Sequence, residues 1–298
     1  MRTYSRSRRG FSLVEILVAL VILGVLGASM TKLMLSQTRG YQYDAGGRRA
    51  RTTARSAMNI MTTDLRMTQD NGGVSYVDAT DHRRVDVKVP VAFGVVCKVS
   101  GSSVYIALAP VDSFQLATIR YAGYAVRNTS GTYDYVTGDE LRSADASKCH
   151  DASVAVYADT ITMNGRSGKI VEATGVTSPP AGTAKGSMAF VWQTVGYFFA
   201  SSQIYTGRWG LYRAVTGAHT RDTMELMSPF SSNARFSYYT NPAQTNDAAR
   251  TTAPADLNTI RGFQIFLPAE ASDTVPGRSG PQKTQLTTAV FFKNTRIQ

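Results

Sequence analysis

From Phe11 to Met30 the chain runs for twenty residues with a single charged side chain, Glu15. A helix of that length rises about 30 Å, the thickness of a bilayer's hydrocarbon core. Whatever the rest of the chain folds into must hang from this segment. Arg2, Arg6, Arg8 and Arg9 precede it with no acidic residue among them. The positive-inside bias therefore places the N-terminus in the cytoplasm and the bulk of the chain outside, although Lys32 and Arg39 beyond the span weaken the asymmetry. Glu15 is the anomaly, because an intramembrane carboxylate costs about 2.5 to 3.5 kcal/mol on insertion scales, less near the interface, and so marks a function. An ordinary secretory signal needs a small-residue cleavage site after an apolar run of roughly 7 to 15 residues, and Ala28-Ser29-Met30 is a poor one. An uncleaved anchor explains the length but leaves Glu15 without a role.

Gly10-Phe11-Ser12-Leu13-Val14-Glu15, after a short Arg-rich leader and before an apolar helix, resembles the class III signal peptide of type IV prepilins and type II secretion pseudopilins. The resemblance implies that a prepilin peptidase removes residues 1–10 after Gly10, that the new N-terminal Phe11 is N-methylated, and that Glu15, fifth in the mature chain, serves subunit assembly. It also implies a pilin-like α+β fold. The expected organisation is a cytoplasmic leader (1–10), a helix (11–70, with 11–30 spanning the inner membrane), and a β-rich periplasmic or extracellular domain (71–298).

Composition agrees. A chain of 298 residues, 43% hydrophobic and 18% charged, can bury a sizeable core and is no disordered tail. Its formal charge of +11 falls to +7 once the leader arginines are lost, an excess that suits anionic surfaces or DNA without specifying either.

Thr31 to Asp70 continues as helix with a changed texture. Ala50, Ala54, Ala57, Met58, Met61 and Leu65 recur at helical spacing, a stripe that should pack on a sheet. Arg48, Arg51 and Arg55 form a basic stripe on another side, either a solvated face or a contact with neighbouring subunits or DNA. Gly46-Gly47 predicts a bend or weak point, since each glycine costs about 1 kcal/mol in a helix interior. Gly72-Gly73 supplies the stop.

From Arg84 the pattern is β. Arg84 to Val89, Val91 to Val99, Ser103 to Ala109, Phe114 to Tyr121, Tyr124 to Arg127, Val154 to Tyr157 and Thr160 to Met163 read as strands, in a largely antiparallel sheet. Asn164-Gly165 is a turn dipeptide with Lys169 to Ala173 as the partner strand. The Pro- and Gly-containing stretch 174–185 reads as an exposed loop between two β-rich halves. Met188 to Ala200, Leu211 to Val215, Ala234 to Tyr239, Ile260 to Leu267 and Thr284 to Lys293 are further strands, while Asn241 to Ala255 and Ala269 to Gln282 are polar surface loops.

Several blocks in the second half sharpen the resemblance: Val195 to Phe199, Gly210 to Arg213, Met224 to Met227, Phe236 to Tyr239, Ile260 to Ile265 and Leu286 to Asn294, with Asp64-Leu65-Arg66 at the helix end. In order and content they are similar to PilW-type minor pilins and the related J-type minor pseudopilins. The chain is about twice the length of a typical major pilin, and Lys32 stands near where many of those have a helix-kinking proline. The resemblance therefore implies a low-abundance subunit at a filament tip, priming or capping assembly with other minor and major pilins. A cytoplasmic ATPase and an inner-membrane platform protein would drive it.

Cys97 and Cys149 are the only cysteines. In an oxidising periplasm they can pair in one way, although sequence does not show that they approach. Cys149-His150-Asp151 tempts a catalytic or metal reading, but three consecutive side chains seldom converge on one substrate. His82 and His219 are isolated, and Gly165 to Lys169 and Gly277 to Gly280 lack phosphate-loop spacing. No catalytic residue, metal site or cofactor is expected. Two functional classes remain: a structural filament subunit in the membrane, or an adhesin or DNA receptor on the same scaffold. For the second, the charge excess and fifteen tyrosines are available to phosphates and bases. The resemblance implies a type IV pilus first, with a type II secretion pseudopilus as the alternative, and the sequence does not separate a motility pilus from a DNA-uptake pilus.

Overall fold

The computed structural model describes residues 12–69, 71–115, 121–137, 140–149, 161–174, 178–216, 221–240 and 249–292. The expected strand at Val154 to Tyr157, residues 116–120 of the strand expected at Phe114 to Tyr121, residues 241–248 of the loop expected at Asn241 to Ala255, and the leader with Gly10 and Phe11 lie outside them.

One helix, α1 (Leu13–Met67, 55 residues), rises about 82 Å. Every residue from Ser12 to Asp44 is exposed, and burial against the rest of the chain begins at Ala45. The buried stripe consists of Ala50, Ala54, Ala57, Met61 and Leu65, at the spacing read from sequence, and its small side chains let the helix lie close on the sheet. The helix ends at Met67 rather than Asp70, because Thr68 turns extended and is buried with Gln69. Asn71 and Gly72 then take left-handed backbone (φ 57° and 104°) and reverse the chain.

Gly46-Gly47 does not interrupt the helix, which is continuous through both residues. A side chain at Gly46 would meet the Ala271 Cβ at 3.2 Å, and one at Gly47 the Gln282 amide nitrogen at 3.1 Å. The glycines are therefore sites of close approach, where a loop from the sheet's far end rests on the helix. That contact offsets their unfavourable helix propensity.

The strands are β1 (Val74–Val77), β2 (Arg84–Ser100), β3 (Ser103–Leu108), β4 (Gly123–Arg127), β5 (Tyr133–Thr137), β6 (Glu140–Ala144), β7 (Thr162–Met163), β8 (Arg166–Ser167) and β9 (Ile170–Thr174). They continue as β10 (Met188–Ser201), β11 (Trp209–Thr216), β12 (Arg221–Phe230), β13 (Arg235–Tyr239), β14 (Gly262–Glu270) and β15 (Lys283–Phe291). Thirteen of them form one antiparallel sheet in the order β13-β14-β12-β11-β10-β2-β3-β9-β6. Branching from this order, β1 pairs with β2, β15 with β14, and β4 with β10 and β5. The fold is thus α+β, a long apolar helix on a large antiparallel sheet. The connection at 178–187 is a turn within that sheet, since β2 from before it pairs with β10 after it along nearly their whole lengths.

Several sequence expectations shift. The two strands read before and after Pro90 are the single β2, with a bulge opposite Val191 and Trp192 that accommodates a residue lacking an N–H. Phe114 is not in a strand: Pro110 opens a short helix, α2 (Pro110–Gln115), and Asp112 accepts the Phe93 N–H at 2.8 Å. Asn164 and Gly165 (φ 50° and 72°) do turn the chain, but the partners are β7 and β8 rather than 169–173, because β9 is engaged by β3 and β6. The strands β1, β5, β6 and β12, short or rich in polar residues, gave no clear alternation.

Two large apolar clusters flank the sheet. One joins the α1 stripe to β1, the first half of β2 and the strands from β10 to β15. The other lies among the second half of β2, β3, β4, β9 and the start of β10. Cys97 and Cys149, with Cα atoms 5.3 Å apart, are bonded and tie β2 to the short turn after β6 beside Tyr105 and Ile170.

Candidate functional site

The first part of the exposed half of α1 is almost wholly apolar, from Leu13 to Met30, and none of it is covered by the rest of the chain. Among Leu13 to Met30 the only charge is Glu15, in the first turn, where its N–H and that of Ile16 bond the Ser12 carbonyl. Glu15 has no ion pair among the described residues.

The buried half is fixed by a polar joint. Asp64, one turn before the helix end, directs one oxygen, Oδ2, at the sheet. That oxygen accepts the Tyr197 hydroxyl at 2.7 Å and the Arg213 Nη2 and Nε at 2.9 and 3.2 Å. Tyr197 belongs to β10 and Arg213 to β11, so the joint spans three elements. Burial, followed by the Asp64 charge and hydrogen bond, holds the Tyr197 phenol protonated far above the ordinary tyrosine range, and it remains a donor. Burial of Arg213 favours its neutral form, but Asp64 outweighs this and keeps the guanidinium charged. Tyr197 and Arg213 were not singled out as partners of Asp64 in the sequence. The three residues stand in three separate blocks, and no local signal links them.

A second joint secures the loop that rests on Gly46 and Gly47. Glu270 accepts the Ser231 hydroxyl and the Lys283 ammonium at 3.0 Å, with the Arg208 guanidinium close by, which also donates to the Ala271 carbonyl. Burial raises the Glu270 pKa, but the Ser231 and Lys283 hydrogen bonds and the two cations bring it below the ordinary glutamate range. Glu225 is lowered similarly, its burial outweighed by bonds from Ser202, the Gln203 N–H and Tyr212. A carboxylate with a depressed folded-state pKa adds stability above its unfolded value, about 4.3 for glutamate, and that contribution is lost as pH falls through the folded value. Denaturant midpoints of the full chain should therefore fall between about pH 5 and pH 3, and Glu270→Gln should flatten the fall. An unchanged slope in the variant would take Glu270 out of the acid response.

Arg48, Arg51 and Arg55 are exposed, while Arg49 pairs with Asp273 at 3.5 Å. His82 lies edge-on to Tyr238; His150, Asp151 and His219 fall outside the described residues. Among the described residues no three His, Cys, Asp or Glu side chains cluster as a metal site would need.

Residues 5–31 match the family defined by the prokaryotic N-terminal methylation motif. That match covers the leader, Gly10, Phe11, Glu15 and the apolar run. It supports the prepilin and pseudopilin superfamily, implies processing by prepilin peptidase and association with pilins generally, and with the apolar helix is consistent with inner-membrane anchoring. No curated protein and no solved structure matches the chain.

Proposed function

We propose that the chain is a minor pilin of the PilW type, cut after Gly10, methylated on Phe11, and incorporated into a type IV pilus whose assembly it primes or caps. The observation that carries this reading is the methylation motif at the head of a helix whose first half is bare and whose second half is locked to a sheet. Such a division suits a subunit that lies in the membrane first and among neighbouring helices afterwards, with its β surface held outward. The blocks that carried the PilW resemblance supply β10 to β15 and the first apolar cluster, which supports extending the likeness past the helix. Neighbouring minor and major pilins, the platform protein and the assembly ATPase are the partners of this reading. The N-terminus is cytoplasmic, and the body is periplasmic before assembly.

Mass spectrometry of membrane-extracted protein tests it. The expected species lacks ten residues and begins with methylated Phe11. An intact Met1, or cleavage near Ala28, would overturn the assignment.

A further inference from the structure

The apolar surface of α1 does not stop at Met30. Beyond Lys32 it continues through Leu33, Met34 and Leu35, all more than half exposed. Counting from the residue after Glu15, the segment from Ile16 to Leu35 is twenty residues, about 30 Å of helix, so a bilayer spanned in this register places Glu15 at the inner boundary and Leu35 at the outer one. Arg39 follows about 6 Å further along, at the depth of the outer headgroups. Side chains on a helix lean toward its N-terminus, so Arg39 leans back toward the bilayer, whereas Lys32, three residues inside the outer boundary, brings its ammonium out by extending its stem against that lean.

A cleft opens at this level. The loop between β14 and β15 descends onto the helix, and Leu35, Arg39 and Tyr43 on one side face Gly277 and Arg278 on the other around a space of about 610 Å³, with Lys32 at its lower rim. The Arg278 guanidinium lies over the Tyr43 ring at 5.5 Å, and an Arg39 nitrogen is 3.8 Å from the position of a Cβ on Gly277. No acidic residue lines the cleft. The one carboxylate of the loop, Asp273, is taken by Arg49, and Lys32, Arg39 and Arg278 have no acidic partner among the described residues. Three cations therefore converge on the outer side of the span, against the usual charge asymmetry.

We infer that this cleft binds the phosphate of an anionic phospholipid headgroup in the outer leaflet of the inner membrane. Two guanidiniums offer planar donor pairs to phosphate oxygens, Leu35 meets the glycerol end, and Tyr41 and Tyr43 sit where interfacial aromatics settle. The lipid then holds the loop 273–280, and with it the sheet, against the membrane surface. A subunit leaving the bilayer has to release that lipid. The inference rests on the membrane-spanning reading of α1 and adds a ligand and a resting position to it.

The test uses the full chain in nanodiscs of phosphatidylcholine alone or with phosphatidylglycerol, read by hydrogen exchange. Phosphatidylglycerol should slow exchange of the amides in 273–280 about fivefold or more, the factor that one cation at an anionic surface provides. The effect should vanish in the exposed double variant Arg39→Gln, Arg278→Gln, whose β10 and β14 amides should exchange as in the parent. Equal exchange in the two lipids would overturn the inference. So would equal protection from inorganic phosphate in phosphatidylcholine discs, which would mark a free-anion site, or a lipid effect that persists in the variant. Protection that appears only when a second pilin is added would assign the cleft to a neighbouring subunit instead. Failure to enter either disc would remove the span itself, and the lipid site with it.

Discussion

Replacing Asp64 with alanine is expected to destabilise the full chain by about 3 kcal/mol, the low end of the range for removing one partner of a buried ion pair. The low end applies because Asp64 and Arg213 keep 18% and 25% of their side-chain surface in water. The loss falls on three groups together. Tyr197, fully buried, loses its acceptor, Arg213 keeps a charge with no counterpart, and the last turn of α1 loses its side-chain bonds to β10 and β11 through Asp64. Asp64→Asn should cost less, because an amide oxygen still accepts one of these bonds, while Tyr197→Phe removes a single donor and should cost about 1 kcal/mol. Urea unfolding in detergent measures all three. An Asp64→Ala midpoint equal to that of the parent would show that the helix is held by its apolar stripe alone.

Replacing Glu15 with alanine is expected to leave membrane abundance unchanged or raised, and to lower recovery in sheared filaments about tenfold. The first half follows from removing a carboxylate at the inner edge of the apolar span, where its cost is small and its loss does not hinder insertion. The second follows from the proposed cleavage after Gly10, which creates a cationic amine on Phe11 about 6 Å of helical rise from Glu15. That offset favours pairing with a neighbour shifted along the filament, and the variant leaves the neighbour's amine buried and unpaired, a penalty of about 1 to 3 kcal/mol. Expression in a strain lacking the native copy, with membrane fractions compared to sheared filaments, reads both halves. Normal incorporation with normal filament number would remove Glu15 from the mechanism.

What was legible in the sequence is what local periodicity encodes. The apolar span, the stripe from Ala50 to Leu65 and most second-half strands declare themselves within a few residues, because each repeats at the period of its own backbone. The joints do not. Asp64 meets Tyr197 and Arg213 across 133 and 149 positions, and Arg278 comes to Arg39 only because β14 and β15 bring their loop down to that level. The contact role of Gly46-Gly47 was hidden for the same reason: propensity sees two weak helix formers, whereas tertiary contact uses the missing side chains. Phe114 was assigned by its apolar neighbours, but Pro110 and the bond from Phe93 to Asp112 decide the local backbone.

The long strands β2 and β10 belong to both apolar clusters, and this bears on mechanics. Tension entering along α1 is delivered to the first cluster through the stripe and the Asp64 joint. From there it passes to the second cluster through two continuous backbones that pair side by side over most of their length. Among the described residues no linker or hinge stands between the clusters, so a pull on the helix is shared across a row of hydrogen bonds loaded together. The sheet is drawn as one stiff plate behind its rod.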